Sequence, residues 1–104
     1  MSEPNGPCVR PPFPLGQVVA TPGALEVLEQ SGQTPDYFLD RHVQGDWGEV
    51  DRGDWQSNDH ALHDGSRIIS VYKTLMGAKI WIITEAADDD GNRAATTLLL
   101  PDEY

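Results

Sequence analysis

Cysteine and long apolar runs are scarce in this chain of 104 residues, and each shortage excludes a class of protein. The single cysteine, Cys8, cannot form an intramolecular disulfide, which agrees with a reducing compartment. No apolar run approaches the roughly 20 residues of a membrane span, and the first residues lack the basic start and apolar core of a signal peptide. These shortages predict a cytoplasmic protein.

Basic residues are also few, with seven against seventeen acidic ones, and the net charge is -10 at pH 7. A negative charge of this size repels phosphate backbones and anionic membrane surfaces at long range. We therefore expect neither direct nucleic-acid binding nor membrane association. Any partner should instead be a basic protein.

Motifs that carry chemistry are missing as well. No glycines stand in the GxGxxG or GxxxxGK spacing of phosphate loops, and no GxSxG elbow presents a nucleophile. His60 and His63 have Asp59 and Asp64 beside them, but a zinc site needs three or four converging ligands, and this group indicates a helical surface pair. Cys8 has no adjacent base that would activate its thiol. The sequence predicts a protein that is not an enzyme, with no catalytic residue, metal ligand or cofactor.

Residues 67–101 carry the strongest secondary-structure signal. Three short runs rich in β-branched and aromatic residues are separated by Gly77 and by the polar segment 88–92, a pattern typical of an antiparallel three-stranded meander. The middle run is apolar on both faces from Ile80 to Ile83, so it should be the central strand and should need cover on both sides.

Two helix starts are marked by threonines, Thr21 and Thr34, each followed by proline, because threonine caps helices well and proline is favoured at the first helical position. The first helix is predicted to run to about Ser31 and the second to Gly45. The predicted inward residues are Ala24, Leu25 and Leu28 on the first helix and Phe38, Leu39 and Val43 on the second.

A third, more polar helix is predicted within residues 45–65, capped by Asp51 or Asp54 and ending near Asp64. Trp47, just before it, is predicted to close the edge of the core, since a chain this small has few other large apolar anchors there. The alternative is that Trp47 is an exposed binding hot spot. The predicted inward residues of this helix are Trp55, Asn58 and Leu62.

Together these elements predict an α+β fold in which the N-terminal helices pack on a three-stranded antiparallel meander. A short extra strand within residues 15–20 is compatible with this fold and is left as an alternative. Residues 1–14 hold five prolines and few apolar anchors besides Phe13, so they are interpreted as a flexible tail. Residues 15–104 are interpreted as a single α+β domain, because the length suits one core.

The acidic residues are concentrated between Asp36 and Asp64, where eight acids face two arginines and hold -6 of the net charge of -10. An array of carboxylates can resemble a duplex backbone, which carries about one charge per 1.7 Å of its axis. The other interpretation is a solvated face that only keeps the protein soluble. The predicted partner-binding residues are Asp36, Asp40, Asp46, Glu49, Asp51, Asp54, Asp59 and Asp64, with Asp88, Asp89 and Asp90 as a second set in the polar turn.

Five segments resemble a family of small uncharacterised plasmid-related proteins from mobile elements of proteobacteria. They are Phe-Pro-Leu-Gly-Gln-Val-Val-Ala-Thr-Pro-Gly-Ala-Leu-Glu (13–26), Gly-Asp-Trp-Gly (45–48), Arg-Ile-Ile-Ser-Val-Tyr (67–72), Trp-Ile-Ile-Thr-Glu-Ala (81–86) and Thr-Thr-Leu-Leu-Leu-Pro (96–101). The resemblance implies a mobile-element origin and supplies no catalytic residues. The longer proline-rich start and the acids at 88–90 depart from the family.

The resemblance and the acidity together predict a non-enzymatic protein-binding factor. Its most concrete form is an inhibitor of a host nuclease defence, anti-CRISPR or anti-restriction, that mimics nucleic acid in the groove of a basic nucleic-acid-binding protein. The alternative is a small accessory or regulatory interaction domain for plasmid or element maintenance, whose acidity serves solubility only. The sequence leaves the oligomeric state open.

Overall fold

The computed structural model describes residues 13–104, which form three α-helices and a four-stranded mixed sheet. The helices are α1 (Pro22–Gln30), α2 (Pro35–Val43) and α3 (Arg52–Asp64), and the strands are β1 (Gln17–Ala20), β2 (Ile68–Lys73), β3 (Lys79–Thr84) and β4 (Ala95–Leu99). One turn of 3-10 helix follows at Pro101–Glu103. The α+β class is confirmed. The predicted tail, up to residue 12 and including Cys8, lies outside the described residues.

The sheet has the strand order β1-β4-β3-β2. Strands β2, β3 and β4 form the predicted antiparallel meander, with Ser70 opposite Ile82 and Ile82 opposite Leu98. The extra strand β1 pairs with β4 in parallel, so the sheet is mixed and not purely antiparallel. It begins only after Gly16, whose left-handed backbone (φ +65°) passes so close to Arg93 and Ala94 that a Cβ there would clash with their main chain.

Thr21 and Asp51 cap the starts of α1 and α3 with their side chains, whereas Thr34, at the N-cap of α2, makes no side-chain capping hydrogen bond. The Thr21 hydroxyl accepts a hydrogen bond from the Ala24 amide at 3.1 Å, as expected for the start of α1. Asp51, and not Asp54, caps α3, because its carboxylate accepts from the Asp54 amide at 2.8 Å. Gly65 ends α3 in the left-handed conformation (φ +82°) that glycine adopts without a steric penalty.

The main core lies between α1, α2 and one face of the sheet. It contains Ala24, Leu28, Phe38, Leu39, Tyr72, Ile80, Ile82 and Leu98. The prediction that Leu25 points inward is wrong, since its side chain is 47% exposed. Ala24 and Leu28, four residues apart, set the buried stripe of this nine-residue helix, and Leu25 lies about 100° around the axis from Ala24. Val43 is only half-buried.

A second apolar cluster contains Phe13, Trp47, Ala61 and Ile68 and lies beside α3. Trp47 is fully buried and its indole N–H donates to Asp59 at 3.0 Å. The core interpretation of Trp47 is therefore confirmed, and the hot-spot alternative is wrong, because a fully buried ring offers no contact area to a partner. Asn58 is buried as predicted, whereas Trp55 and Leu62 are only half-buried.

The outer edge of β2 is covered by the chain itself. The Asn58 amide group donates to the Ile69 carbonyl at 2.7 Å and accepts from the Ile69 amide at 3.2 Å. Val71 pairs with the Trp47–Glu49 segment on the same edge. These contacts block an edge that could otherwise pair with a foreign strand.

Ile82→Ala is expected to lower the free energy of unfolding by roughly 2 to 5 kcal/mol, because it removes a fully buried branched side chain from an interior strand. Urea denaturation measures the change. Ile69→Ala is the control, since Ile69 is only half-buried and should cost clearly less. Equal losses for the two variants would contradict the assignment of the core to the helix-covered face.

Candidate functional site

Five of the eleven predicted partner-binding acids are engaged in local structure. Asp46 forms an ion pair with Arg41 at 2.8 Å and accepts from the Gly48 amide at 3.1 Å. The hydrogen bond from Arg41 lowers the pKa of Asp46 below its usual value. Asp51 caps α3. These two side chains stabilise the connection between α2 and α3.

The other three engaged acids each accept one or two hydrogen bonds. Asp59 accepts the indole proton of Trp47. Asp64 accepts from the Ser66 amide at 2.9 Å, and hydrogen bonds from Ser66 lower the pKa of Asp64. Asp88 accepts from the amides of Asp90 and Asn92, both at 2.9 Å, and so shapes the β3–β4 loop. All three side chains remain exposed, so a structural role does not remove their charge from the surface.

The other six predicted acids have no structural role of this kind. Within residues 13–104, no described hydrogen bond or ion pair involves their side chains, and all six are exposed. They are Asp36, Asp40, Glu49, Asp54, Asp89 and Asp90. Asp36 and Asp40 stand one turn apart on α2, where like charges disfavour the helix by a few tenths of a kcal/mol.

The structure brings part of the predicted set together. The Ala87 amide donates to the Gly65 carbonyl at 2.7 Å, which places the β3–β4 loop with Asp88–Asp90 beside the end of α3 and Asp64. No described contact joins Asp36 or Asp40 to these acids. The predicted residues therefore form an acidic group along α3 and the β3–β4 loop and a separate pair on α2.

The helical segment holds few basic residues, and both lysines of the chain lie on the sheet. Residues 22–64, which contain all three helices, carry ten acids and two arginines, and one of those arginines is paired with Asp46. Lys73 and Lys79 are cross-strand neighbours on the sheet face opposite the helical core, the face that also holds Val71 and Trp81. The negative charge of the described chain is therefore concentrated in its helical segment.

A groove of about 770 Å³ on that opposite face has walls of both signs. Glu49, Asp51 and Asp54 line it from the α3 side, and Arg67 and Lys79 line it from the strands. Among the described residues, neither Glu49 nor Asp54 forms an ion pair with these cations, so both carboxylates remain available to a partner.

Among residues 13–104, one buried chain of polar side chains resembles catalytic geometry. His42 Nδ1 lies 2.6 Å from Ser70 Oγ, and His42 Nε2 lies 2.8 Å from Thr84 Oγ1. Thr84 Oγ1 lies 2.8 Å from Thr96 Oγ1, which donates to the Leu15 carbonyl. All four side chains are fully buried, so a substrate cannot reach the serine. The chain links α2 to three strands.

Burial lowers the pKa of His42 to about 3, with a smaller contribution from the positive charge of Arg93, so the ring is neutral at pH 7. Sequence reasoning overlooked this histidine. A signal was present, because His42 follows Phe38 by four residues and therefore lies on the buried stripe of α2.

His60 and His63, on α3, are both exposed. In the part of the chain that the structure describes, no three His, Cys, Asp or Glu side chains are close enough to hold a metal ion. None of the helices formed by residues 13–104 has the length and apolar character to cross a membrane.

Comparison of this chain with protein families, curated proteins and solved structures finds no match. The resemblance to plasmid-related proteins therefore stays a prediction.

Proposed function

We propose that this protein is a cytoplasmic, non-enzymatic binding factor of a mobile element that inhibits a host nuclease defence by occupying a nucleic-acid groove with carboxylates. The observation that supports the proposal is the concentration of negative charge, with ten acids against two arginines in the helical segment. A partner that binds phosphates presents clustered Lys and Arg, which attract such a surface and exclude like-charged proteins.

The exposed acids without hydrogen-bond partners are the residues to which the proposal assigns binding. A carboxylate that already accepts hydrogen bonds has fewer lone pairs to offer an incoming arginine. Asp36, Asp40 and Asp54 each keep both oxygens available on a rigid helix. Fixed positions limit the entropy lost on binding.

The test uses two probes, a purified DNA-cleaving CRISPR nuclease and a restriction endonuclease from a host of the element. Wild-type protein is expected to inhibit DNA cleavage by one of them, to compete with DNA, and to bind more weakly as salt rises. The variant carrying Asp36→Asn, Asp40→Asn, Asp54→Asn and Glu49→Gln should bind about tenfold to a hundredfold more weakly at 0.15 M salt while folding normally.

The matched control removes charge of the other sign. Lys73→Gln alters the sheet face away from the helices and leaves unchanged Lys79, which shares a groove with Glu49 and Asp54, so affinity should stay the same or rise. A third variant, Asp89→Asn with Asp90→Asn, tests the β3–β4 loop separately. Mimicry is wrong if the four-acid variant inhibits as well as wild type, or if the nuclease binds this protein and DNA simultaneously.

The accessory-domain alternative is supported by a different observation. Five of the eleven predicted acids have local structural roles, and a cap or a turn explains their presence without any partner. In that case the acidity serves solubility, and neutralising the four free acids should lower solubility without changing any specific binding.

A further inference from the structure

The tip of the β2–β3 hairpin carries the most exposed large apolar side chains of the described residues. Leu75 is 79% exposed and Met76 is 72% exposed. Single exposed apolar residues are common on protein surfaces, but two in succession on a projecting turn are a contiguous apolar feature. Neither side chain contributes to the two core clusters.

Three hydrogen bonds stabilise the turn that carries these side chains. Thr74 is buried, its amide donates to the Ala78 carbonyl at 2.7 Å, and its hydroxyl accepts from the Ala78 amide at 3.1 Å. The Gly77 amide donates to the Thr74 carbonyl at 2.9 Å, with Gly77 in the left-handed region (φ +88°). The hairpin base therefore holds one conformation.

The tip is also tied to the connection between α1 and α2. The Leu75 amide donates to the Gln33 side-chain carbonyl at 2.9 Å, and the Met76 amide donates to the Ser31 hydroxyl at 3.4 Å. Two side chains from another element thus hold the backbone of the turn, while its apolar side chains remain in water. A turn stabilised in this way loses little conformational entropy when it binds.

The first turn of α2 follows this connection directly. It carries Asp36 and Tyr37, and Tyr37 is 53% exposed. Asp36 and Tyr37 follow Gln33, which accepts from the Leu75 amide, by three and four residues, so they belong to the same region of the surface. We call Leu75, Met76, Tyr37 and Asp36 the tip surface. Apolar and aromatic anchors beside a carboxylate are the composition of a protein-binding patch, in which a few large side chains supply most of the affinity.

We propose that the tip surface anchors this protein to its partner, with Leu75 and Met76 entering an apolar pocket whose rim carries a Lys or Arg that pairs with Asp36. The inference deepens the proposed function, on which it rests for the basic character of the partner. Methionine suits such a pocket because its flexible thioether adapts to irregular shapes.

Other occupants of the tip surface fit less well. A net charge of -10 opposes approach to anionic membranes and to nucleic acid. In a two-fold dimer formed through this surface, the same patch lies on both subunits, so the Asp36 carboxylates would come close to each other. A basic protein meets neither obstacle.

The experiment places the photo-crosslinking residue p-benzoylphenylalanine at position 76 and, separately, at position 18, and expresses each full-length variant in a host of the element. Val18 is the control site because it is 44% exposed and lies on β1, the edge strand opposite β2. Irradiation is expected to link position 76, but not position 18, to one basic nucleic-acid-binding protein.

The second measurement is the affinity of wild type and two serine variants for that purified protein. Leu75→Ser with Met76→Ser should weaken binding about a hundredfold, while Val18→Ser changes it less than about threefold. The melting temperature of the double variant should stay within about 2 °C of wild type, since exposed side chains contribute little to stability.

The inference is overturned if position 76 yields no crosslink, links only to a second copy or to lipid, or gives the same products as position 18. It is also overturned if the double serine variant binds like wild type. The two proposals fail separately. Asp36 belongs to both surfaces, so this comparison uses a variant that keeps it, Asp40→Asn with Glu49→Gln and Asp54→Asn. Loss of binding in that variant alone would leave mimicry standing without the tip surface, and loss in the double serine variant alone would leave the tip surface without mimicry.

Discussion

Arg93→Met is expected to lower the free energy of unfolding by about 3 kcal/mol. Arg93 is only 6% exposed and donates to three backbone carbonyls, those of Ala61 at 3.0 Å, Ser66 at 2.7 Å and Glu85 at 3.0 Å. The methionine side chain fills much of the same space but donates nothing. All three carbonyls then lose their charged donor, and the end of α3 is released from the start of β2 and the end of β3.

The net cost combines opposing contributions. A buried carbonyl without its donor costs about 1 to 3 kcal/mol, and Ala61 lies in the last turn of α3, where a cation is favoured by the helix dipole. Against this, the burial of Arg93 desolvates its charge and lowers its pKa, so removing that charge recovers part of the penalty. Three lost hydrogen bonds outweigh one recovered desolvation cost.

Arg67→Met is the matched control, because Arg67 is exposed and the substitution is chemically identical. It should change the unfolding free energy by no more than about 0.5 kcal/mol in urea denaturation. Arg93→Lys should lie between the two, since one ammonium group cannot reach three carbonyls with the geometry of the guanidinium fork. Equal stability of the two methionine variants would contradict the buried position of Arg93.

The elements that could be predicted from sequence are those with local signals. Thr21 and the proline after it mark the start of α1 through interactions within four residues, and Gly65 ends α3 through its own backbone conformation. The meander was predictable for the same reason, because its turns and alternating apolar residues lie within one continuous stretch. Exposure of the acids was also predictable, since unpaired charges are rarely buried.

The unpredicted features depend on partners far apart in the chain. His42 forms hydrogen bonds with Ser70 and Thr84, 28 and 42 residues away, and no local sequence pattern indicates which hydroxyls bind it. The same holds for Asp59, which accepts from Trp47, a residue twelve positions earlier in the chain. The other engaged acids bind groups within five residues of themselves, and the Asp51 cap is one of the two caps that such a local pattern predicted for α3. The direction of β1 likewise depends on how the chain returns to the sheet. Tertiary packing decides these points.

Stability is expected to fall by about 2 kcal/mol between pH 7 and pH 5 because of His42. The pKa of this buried ring is about 3 in the folded protein and near its ordinary value of 6.5 once the chain unfolds. The unfolded state therefore binds more protons over this interval. The stabilisation is fully present above pH 6.5 and is lost progressively as the pH falls toward 3.

The hydrogen-bond chain fixes how the neutral ring is protonated. The Thr96 hydroxyl donates to the Leu15 carbonyl, so the proton between Thr96 and Thr84 must come from Thr84. Thr84 then accepts from His42 Nε2–H, and Nδ1 accepts from the Ser70 hydroxyl. Every position in the chain is satisfied by this one arrangement. A second proton on the ring would make the Ser70 hydroxyl the acceptor and leave its own proton without a described partner.

His42→Gln tests this explanation, because glutamine offers one donor and one acceptor group without titrating near neutral pH. The variant will be less stable at pH 7 if its amide fits the site poorly, but its unfolding free energy should lose its slope between pH 7 and pH 5. The control combines His60→Gln and His63→Gln on the exposed face of α3 and should keep the slope of the wild type. Urea denaturation at half-unit pH intervals measures the unfolding free energy of all three proteins.

If His42→Gln retains the wild-type slope, acid sensitivity arises elsewhere. Carboxylates with lowered pKa values, such as Asp46, would not account for it, because their contribution is lost only at lower pH, as the pH falls from their ordinary value of 3.8.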